Sequence, residues 1–362
     1  MINIDSNDFI ESKIGISDNY LFNSDNMEFL IKYKSQLINK VDLISIDPPY
    51  NTGKKMGKYT DSFSTMDNWL SFIEPRLRIS RDILSEGGLI FININEKNSP
   101  YLRVLCDKIF NIKNHVSTII WQNKYTVSND KSGITCQTEN ILVYAKDIKK
   151  ITINNDELRE EYIKVYKNWD DDVRGAWRKG VQLYKKKTKN TYTVISPSGI
   201  EWTKGWNYSE KEWYNTLVKE DLLFWGVDGK SCPTKKIFLS NSKGRGIRNL
   251  WLGDDVGYTQ DGTSDLEKIL KTEASFLYPK PVKLIKRILK IASKDDSIIL
   301  DFFAGSGTLG QAVIEYNREN LSSNRKFILV TNNESNICDL ITRKRIENTI
   351  KDNEGFTYVK CN

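Results

Sequence analysis

The sequence predicts an α/β fold: a mixed, mostly parallel sheet with helices on both faces, interrupted by an inserted region of different character. Three observations predict it. Apolar runs of strand length alternate with segments of helical spacing at both ends of the chain, the pattern of a parallel sheet with covered faces. Two of these runs end in an aspartate that a turn-forming motif follows at once, Asp47-Pro-Pro-Tyr50 and Asp301-Phe-Phe-Ala-Gly-Ser-Gly-Thr308. Between the two motifs, residues 151–250 lose the rhythm and gather lysine, arginine and tryptophan.

Taken in order, Val41–Ile46 (VDLISI) reads as a buried strand ending at Asp47. Asn68–Ser85 carries helical spacing through Trp69, Phe72, Leu77 and Leu84, and Gly87-Gly88 then introduces a second strand, Leu89–Ile94. Val116–Trp121 and Asn140–Tyr144 read as an antiparallel pair closing the sheet edge. The rhythm resumes with a helix over Pro281–Ala292, a strand over Ser297–Phe302, a helix over Gly307–Asn317 and a strand over Lys326–Thr331. The chain therefore divides into 1–150, a loop-rich 151–250, and 251–362.

Composition removes several classes of function. With 362 residues, 39% hydrophobic, the chain can build a real core. It contains no apolar run of about eighteen residues, and MINIDSNDFIESK lacks the basic and apolar regions of a signal peptide. A soluble cytoplasmic protein without a membrane partner is the expectation. Cys106, Cys136, Cys232, Cys338 and Cys361 are scattered, form no CxxC pair and suggest no disulfide framework. His115 is the sole histidine, which excludes an HExxH zinc site and disfavours a histidine relay, so no metal is expected.

The net charge of +7 is concentrated in the middle, where residues 151–250 hold 19 Lys and Arg against 13 Asp and Glu. Seven of the nine tryptophans lie there or at its border: Trp169, Trp177, Trp202, Trp206, Trp213, Trp225 and Trp251. The densest basic part is Arg174, Arg178, Lys179, Lys185, Lys186, Lys187 and Lys189. Basic side chains neutralise phosphates and aromatic rings stack on bases, the combination of a nucleic-acid surface. An insert with a solvated lysine face and a tryptophan core has the same composition.

Gly305, Gly307 and Gly310 satisfy GxGxxG between a strand and a helix, which first suggests a dinucleotide. Asp301 opposes that reading, because its carboxylate would stand near a pyrophosphate. The GK[ST] ending of a phosphate-binding P-loop is also missing. A zwitterion such as S-adenosylmethionine fits better: Asp301 can meet its ammonium, and Glu334, after the next strand, can meet its ribose. A tight strand–helix turn that merely permits packing would show the same glycines.

The Asp47-Pro48-Pro49-Tyr50 turn must leave the sheet, since two prolines cannot continue a central strand. The edge it reaches is where open α/β sheets bind ligands. There the Asp47 carboxylate and the Pro48 carbonyl can each accept one N–H of an exocyclic amine, with Pro49 stiffening the turn. Tyr50 can stack on a flat base. Such a grip localises the nitrogen lone pair for attack on a sulfonium methyl, without a covalent enzyme intermediate. A proline-stiffened turn with Tyr50 as packing is the alternative.

Together these motifs make the chain resemble the β-class DNA amino-methyltransferases, most closely the modification subunits of type III restriction systems. The resemblance covers nearly everything outside the middle region. It implies the Rossmann-like S-adenosylmethionine-dependent methyltransferase fold with an inserted target-recognition region. It implies that Asp47, Pro48, Pro49 and Tyr50 form the catalytic motif, in the form typical of adenine-N6 enzymes. Asp301, Phe303, Ala304, Gly305, Ser306, Gly307 and Thr308 match the family's cofactor loop, and Leu309 stands where a second threonine is frequent. Phe276-Leu-Tyr-Pro-Lys-Pro281 matches the element before it, implying that Lys280 reaches the methionine carboxylate. Asn23-Ser24-Asp25 matches an upstream element, implying that Asp25 contacts the cofactor adenine, and Glu334 matches the ribose-binding acid.

The function so implied is methyl transfer from S-adenosylmethionine to adenine N6 of a base flipped out of double-stranded DNA. A homodimer and a cognate restriction subunit are partners the family admits. Cytosine-N4 methylation would use nearly the same pocket, and a non-catalytic specificity subunit could share the fold. Cytosine-C5 chemistry is disfavoured, since it needs a cysteine after proline and Cys232-Pro233 is reversed.

Overall fold

The computed structural model describes residues 2–5, 14–15, 18–56, 59–126, 133–158, 160–185, 188–272, 278–351 and 354–361. The chain forms two compact units, one made of Met1–Asn154 with Arg248–Asn362 and one of Asn155–Ile247.

The first unit is built on a ten-stranded sheet. In chain order its strands are β1 (Ile2–Asp5), β2 (Tyr20–Asn23), β3 (Val41–Ile46), β4 (Leu84–Asn95) and β5 (His115–Gln122). They continue with β6 (Thr138–Ala145), β7 (Leu250–Trp251), β8 (Ile298–Asp301), β9 (Lys326–Thr331) and β10 (Thr357–Lys360). Across the sheet they stand β1-β10-β2-β9-β8-β3-β4-β6-β5-β7. Every neighbouring pair is parallel except the two made by β6, which is antiparallel to β4 and β5. The expected β5–β6 antiparallel pair is present, but it does not close the sheet. Leu250 and Trp251 pair with Ile120 and Trp121 outside it, so Trp251, grouped by sequence with the middle tryptophans, is buried in this unit.

Period-two alternation sends β-strand side chains to both faces, and both are covered. Ile44, Ile46, Ile90, Ile92, Leu300 and Val330 pack with α1 (Asn26–Leu37) and α2 (Met66–Ile83) through Phe29, Tyr33, Trp69, Ile73 and Leu77. Their chain neighbours Leu43, Phe91, Ile299 and Leu329 are equally buried on the opposite side. There Gly310, on the helix Thr308–Glu319, lies so near Leu329 and Ile346 that a Cβ would stand 2.8 and 2.5 Å from their Cδ1 atoms. Removing a large apolar side chain from such a core costs about 2–5 kcal/mol.

The chain order creates the ligand-binding position. β3 leads through α2 to β4 on one side, whereas β8 leads through the helix Thr308–Glu319 to β9 on the other. β3 and β8 are neighbours, paired at Leu43–Ile299 and Ile44–Leu300, so the strand order reverses between them. A crevice outside the carboxyl ends of the strands is expected at such a reversal, and Asp47 and Asp301 stand at those two ends.

The second unit is less loop-rich than its sequence suggests. Trp177–Gln182, Thr234–Phe238 and Leu223–Phe224 form a three-stranded antiparallel sheet, and Thr191–Ile195 pairs with Glu201–Gly205 in a hairpin. Its core contains Trp177, Phe224 and Phe238, with Leu183, Trp206, Trp213 and Leu217 in a second cluster. Strands of two to six residues with weak apolar alternation escape a pattern search. Among the described residues no helix is long and apolar enough to cross a membrane.

Candidate active site at the strand-order reversal

The Asp47–Tyr50 turn is held by side chains from four directions. Trp69 Nε1 donates to the Pro49 carbonyl at 2.7 Å, Asn98 Nδ2 donates to the Tyr50 carbonyl, and Asn93 Nδ2 donates to the Ile46 carbonyl at 3.0 Å. Asn51, in a left-handed conformation (φ 55°), begins the chain's return. Buried Asp61 clamps that return, accepting from the Asn51 and Thr52 amides at 2.7 and 3.1 Å. Among the described residues, no group donates to the Pro48 carbonyl.

A compact charged network surrounds Asp47. The Tyr50 hydroxyl lies 2.7 Å from Asp47 Oδ1 and 3.0 Å from Glu139 Oε2, one proton between two carboxylates. Lys280 Nζ donates to the Tyr50 oxygen at 2.9 Å and pairs with Asp47 Oδ1 and Glu139 Oε2, each at 3.1 Å. Asn123 Nδ2 holds the other Glu139 oxygen at 2.8 Å. Both partners of Asp47 fall on Oδ1, leaving Oδ2 without a donor among the described residues.

Burial raises the Asp47 carboxyl above its ordinary pKa, with Lys280 pulling it down and Glu139 pushing it further up. Burial, with Asp47 and Glu139 adding to it, drives the Tyr50 phenol well up, so it stays a neutral donor. For Lys280 burial favours the neutral amine, but the two carboxylates overcome it and raise the ammonium's pKa.

Asp301 is a different acid. Only 8% exposed, it accepts a hydrogen bond from the Phe303 amide at 2.9 Å and, among the described residues, has no cation beside it. Burial pushes its pKa up to about 8; the Phe303 amide opposes this, and the Asp47 charge adds to it. A buried carboxyl so placed favours a cationic ligand group.

The glycine-rich turn is shaped from behind. The Ala304 amide donates to the Val330 carbonyl at 3.1 Å, and Gly307 starts the following helix at φ 79°, a conformation that favours glycine. Ser306 and Thr308 turn their hydroxyls to the fully buried Arg345, whose Nη1 donates to them at 2.9 and 2.8 Å. Arg345 Nε adds a bond to Gln311 Oε1 at 2.7 Å, and burial lowers the guanidinium's pKa to about 10. Thr342 Oγ1 donates to the Gly305 carbonyl. Phe303 is half-buried, 5.2 Å from Phe302 and 6.1 Å from Phe72 between ring centroids.

Asp25 follows β2, caps helix α1 by accepting from the Met27 and Glu28 amides, and is exposed. Glu334 is exposed in a short turn beyond β9. The four acids therefore lie at or just past the ends of four adjacent parallel strands: Asp25 of β2, Glu334 of β9, Asp301 of β8 and Asp47 of β3. Lys280 is placed with the Asp47–Tyr50 turn, its ammonium held by Asp47, Tyr50 and Glu139; of its motif, Phe276 and Leu277 lie outside the described residues.

Glu139 was not singled out by sequence reasoning. A parallel strand delivers its last residues to this edge, but antiparallel β6 delivers its first ones, so Glu139 lies opposite Asn95 at the end of β4. The lone acid opening the apolar run TENILVY was the available signal. Arg345 gave none, since a basic residue in a helix ordinarily reads as exposed.

In the second unit, the basic run resolves into distinct groups. Arg174 is spent internally, with Nη2 2.6 Å from Asp172 and 3.3 Å from Asp221. Lys236 is buried between Asp170 and Asp172 at 2.6 and 2.9 Å. Lys179, Lys185 and Lys189 are exposed, and Lys186 and Lys187 lie outside the described residues. Trp177, Trp206 and Trp213 are core, whereas Trp169 is 43% exposed.

The strand-order reversal, with an aspartate at each of its two strand ends, is the position at which open α/β sheets bind ligands. The family model described as DNA methylase, of the N6/N4 methyltransferase type, matches residues 41–343, and the chain belongs to that family. It is 32% identical to the StyLTI Mod subunit, a type III restriction-modification enzyme of Salmonella typhimurium, over 93% of this chain and 56% of that one. It is 30% identical to the EcoPI Mod subunit of Escherichia phage P1, over 92% of this chain and 62% of that one. The chain thus spans a little over half the length of these two relatives. A solved protein of Thermus thermophilus, described as a putative DNA modification methylase in complex with S-adenosyl-L-methionine, is 16% identical. It aligns over 95% of this chain and all of its own, with a TM-score of 0.47.

Proposed function

We propose that the chain is a site-specific DNA methyltransferase that uses S-adenosylmethionine to methylate adenine N6 in double-stranded DNA. The observation that carries this reading is the pair of unlike aspartates across the strand-order reversal. Asp301 is buried with no cation beside it among the described residues, as a site for the cofactor's ammonium requires. Asp47 Oδ2 and the Pro48 carbonyl are two adjacent open acceptors, as a site for an exocyclic amine requires. Phe303, Ala304 and Gly305 form the turn around the cofactor, Ser306, Gly307 and Thr308 fix its shape, and Asp25 and Glu334 line the same edge for the adenosine end.

The cofactor supplies a sulfonium methyl group. Asp47 Oδ2 and the Pro48 carbonyl take the two N–H groups of the flipped adenine and draw the nitrogen lone pair out of ring conjugation. On methylation by that sulfonium, whose sulfur would keep the C–S bonding pair, Asp47 would accept the surplus proton of N6 and pass it to water. Trp69, Asn93, Asn98 and Asp61 keep the turn rigid, which limits reorganisation during transfer. The exposed lysines of the second unit supply phosphate contacts, and the relatives' names support a restriction-modification setting with a cognate restriction subunit.

Two titrations test the reading. S-adenosylmethionine should raise the melting temperature while NAD leaves it unchanged. Labelled cofactor should then transfer its methyl group to DNA; a chain that binds the cofactor and labels nothing is a specificity subunit instead.

A further inference from the structure

Glu139 contributes to no acceptor pair and caps no helix, yet its side chain is only 16% exposed and holds both polar partners of Asp47, Tyr50 and Lys280. We propose that Glu139 is a positioning residue for methyl transfer: it holds the Lys280 ammonium and the Tyr50 hydroxyl so that both reach Asp47 through Oδ1, leaving Oδ2 open to the target amine. The proposal rests on the methyltransferase reading above and assigns a role to a residue outside its two motifs.

The geometry separates Glu139 from ordinary packing. Lys280 Nζ is equidistant, at 3.1 Å, from Asp47 Oδ1 and Glu139 Oε2, so one cation is shared between two carboxylates. With Glu139 absent, Lys280 would retain Asp47 as its one nearby carboxylate, and a lone ammonium beside a lone carboxylate competes for both oxygens. The acceptor meant for the amine would then be occupied. Asn123, 6% exposed, fixes Glu139 Oε1 and leaves Oε2 for Lys280 and Tyr50. Antiparallel β6 makes this possible, because its first residues rather than its last stand at the reactive edge.

Four groups face Asp47: Tyr50 on its own turn, Glu139 from β6, Lys280 from the turn before the helix Val282–Ala292, and Asp301 from β8. Removing the Glu139 charge removes one influence that raises the Asp47 carboxyl, so the acid limb of the kcat profile moves to lower pH.

The test compares wild type, Glu139→Gln and Glu139→Asp. Methyl transfer is followed with labelled S-adenosylmethionine and DNA from a strain lacking adenine methylation; cofactor Kd is measured by calorimetry. Glu139→Gln should lower kcat about 10–100-fold, the usual scale for a residue acting through its neighbours, with cofactor Kd and Tm nearly unchanged and the acid limb displaced downward. Glu139→Asp, which keeps the charge, should recover part of kcat. An unchanged kcat overturns the proposal, as does an unmoved pH profile with cofactor binding and Tm falling in step. A wild type that binds cofactor but transfers nothing removes the methyltransferase reading first, and this proposal with it.

Discussion

Lys280 Nζ stands 3.1 Å from Asp47 Oδ1, an ion pair between residues that reach the site from opposite ends of the chain. It opposes the upward pull of burial on the Asp47 carboxyl while occupying only one of its two oxygens. Asp47→Ala should therefore abolish methyl transfer, by at least about 1,000-fold in kcat, and change cofactor affinity little. Label incorporation and calorimetry on the same preparation check both halves; substantial residual turnover would remove Asp47 from its role.

Asp301 carries a pH signature. Its folded pKa of about 8 lies above the ordinary 3.8, so between those values the native state binds the proton more tightly than the unfolded state. Its contribution to stability is therefore lost as pH rises through that window. Asp301→Asn should lose cofactor binding and yet gain melting temperature relative to wild type as pH rises toward 8, by roughly several degrees. Parallel Tm–pH curves for the two proteins would contradict the assignment.

Arg345 fixes the glycine-rich turn from behind through Ser306, Thr308 and Gln311. Arg345→Met should destabilise the protein by about 2–4 kcal/mol, because three buried acceptors lose their donor. Denaturant unfolding measures the loss, and cofactor affinity should fall with it.

Charge reversal across Lys185–Lys187 should weaken DNA binding and flatten its dependence on salt. Arg174→Glu should act differently, lowering stability first, since that guanidinium is committed to Asp172 and Asp221. Binding isotherms at several salt concentrations separate the two cases; an unchanged salt slope returns the lysines to a solvated surface.

What was legible in the sequence was whatever local chemistry encodes. VDLISI ends where a buried strand must end, two prolines eject the chain there, and GSG needs a turn; each placed an aspartate at the sheet's carboxyl edge. What was illegible depends on strand direction and partners. Glu139 reaches the edge because β6 runs backwards, Trp251 joins the main sheet through a two-residue strand, and Arg174 and Lys236 look like surface charge until Asp170, Asp172 and Asp221 surround them. Tyr20–Asn23, a central strand, is only four residues long and shows no alternation to detect.

The most direct test of the central claim is nucleoside mass spectrometry of DNA incubated with the protein and isotopically labelled S-adenosylmethionine. Labelled N6-methyladenine, absent with Asp47→Ala, is the predicted result. Labelled N4-methylcytosine would keep the mechanism and contradict the base, and unlabelled DNA in the presence of bound cofactor would contradict the account of the active site itself.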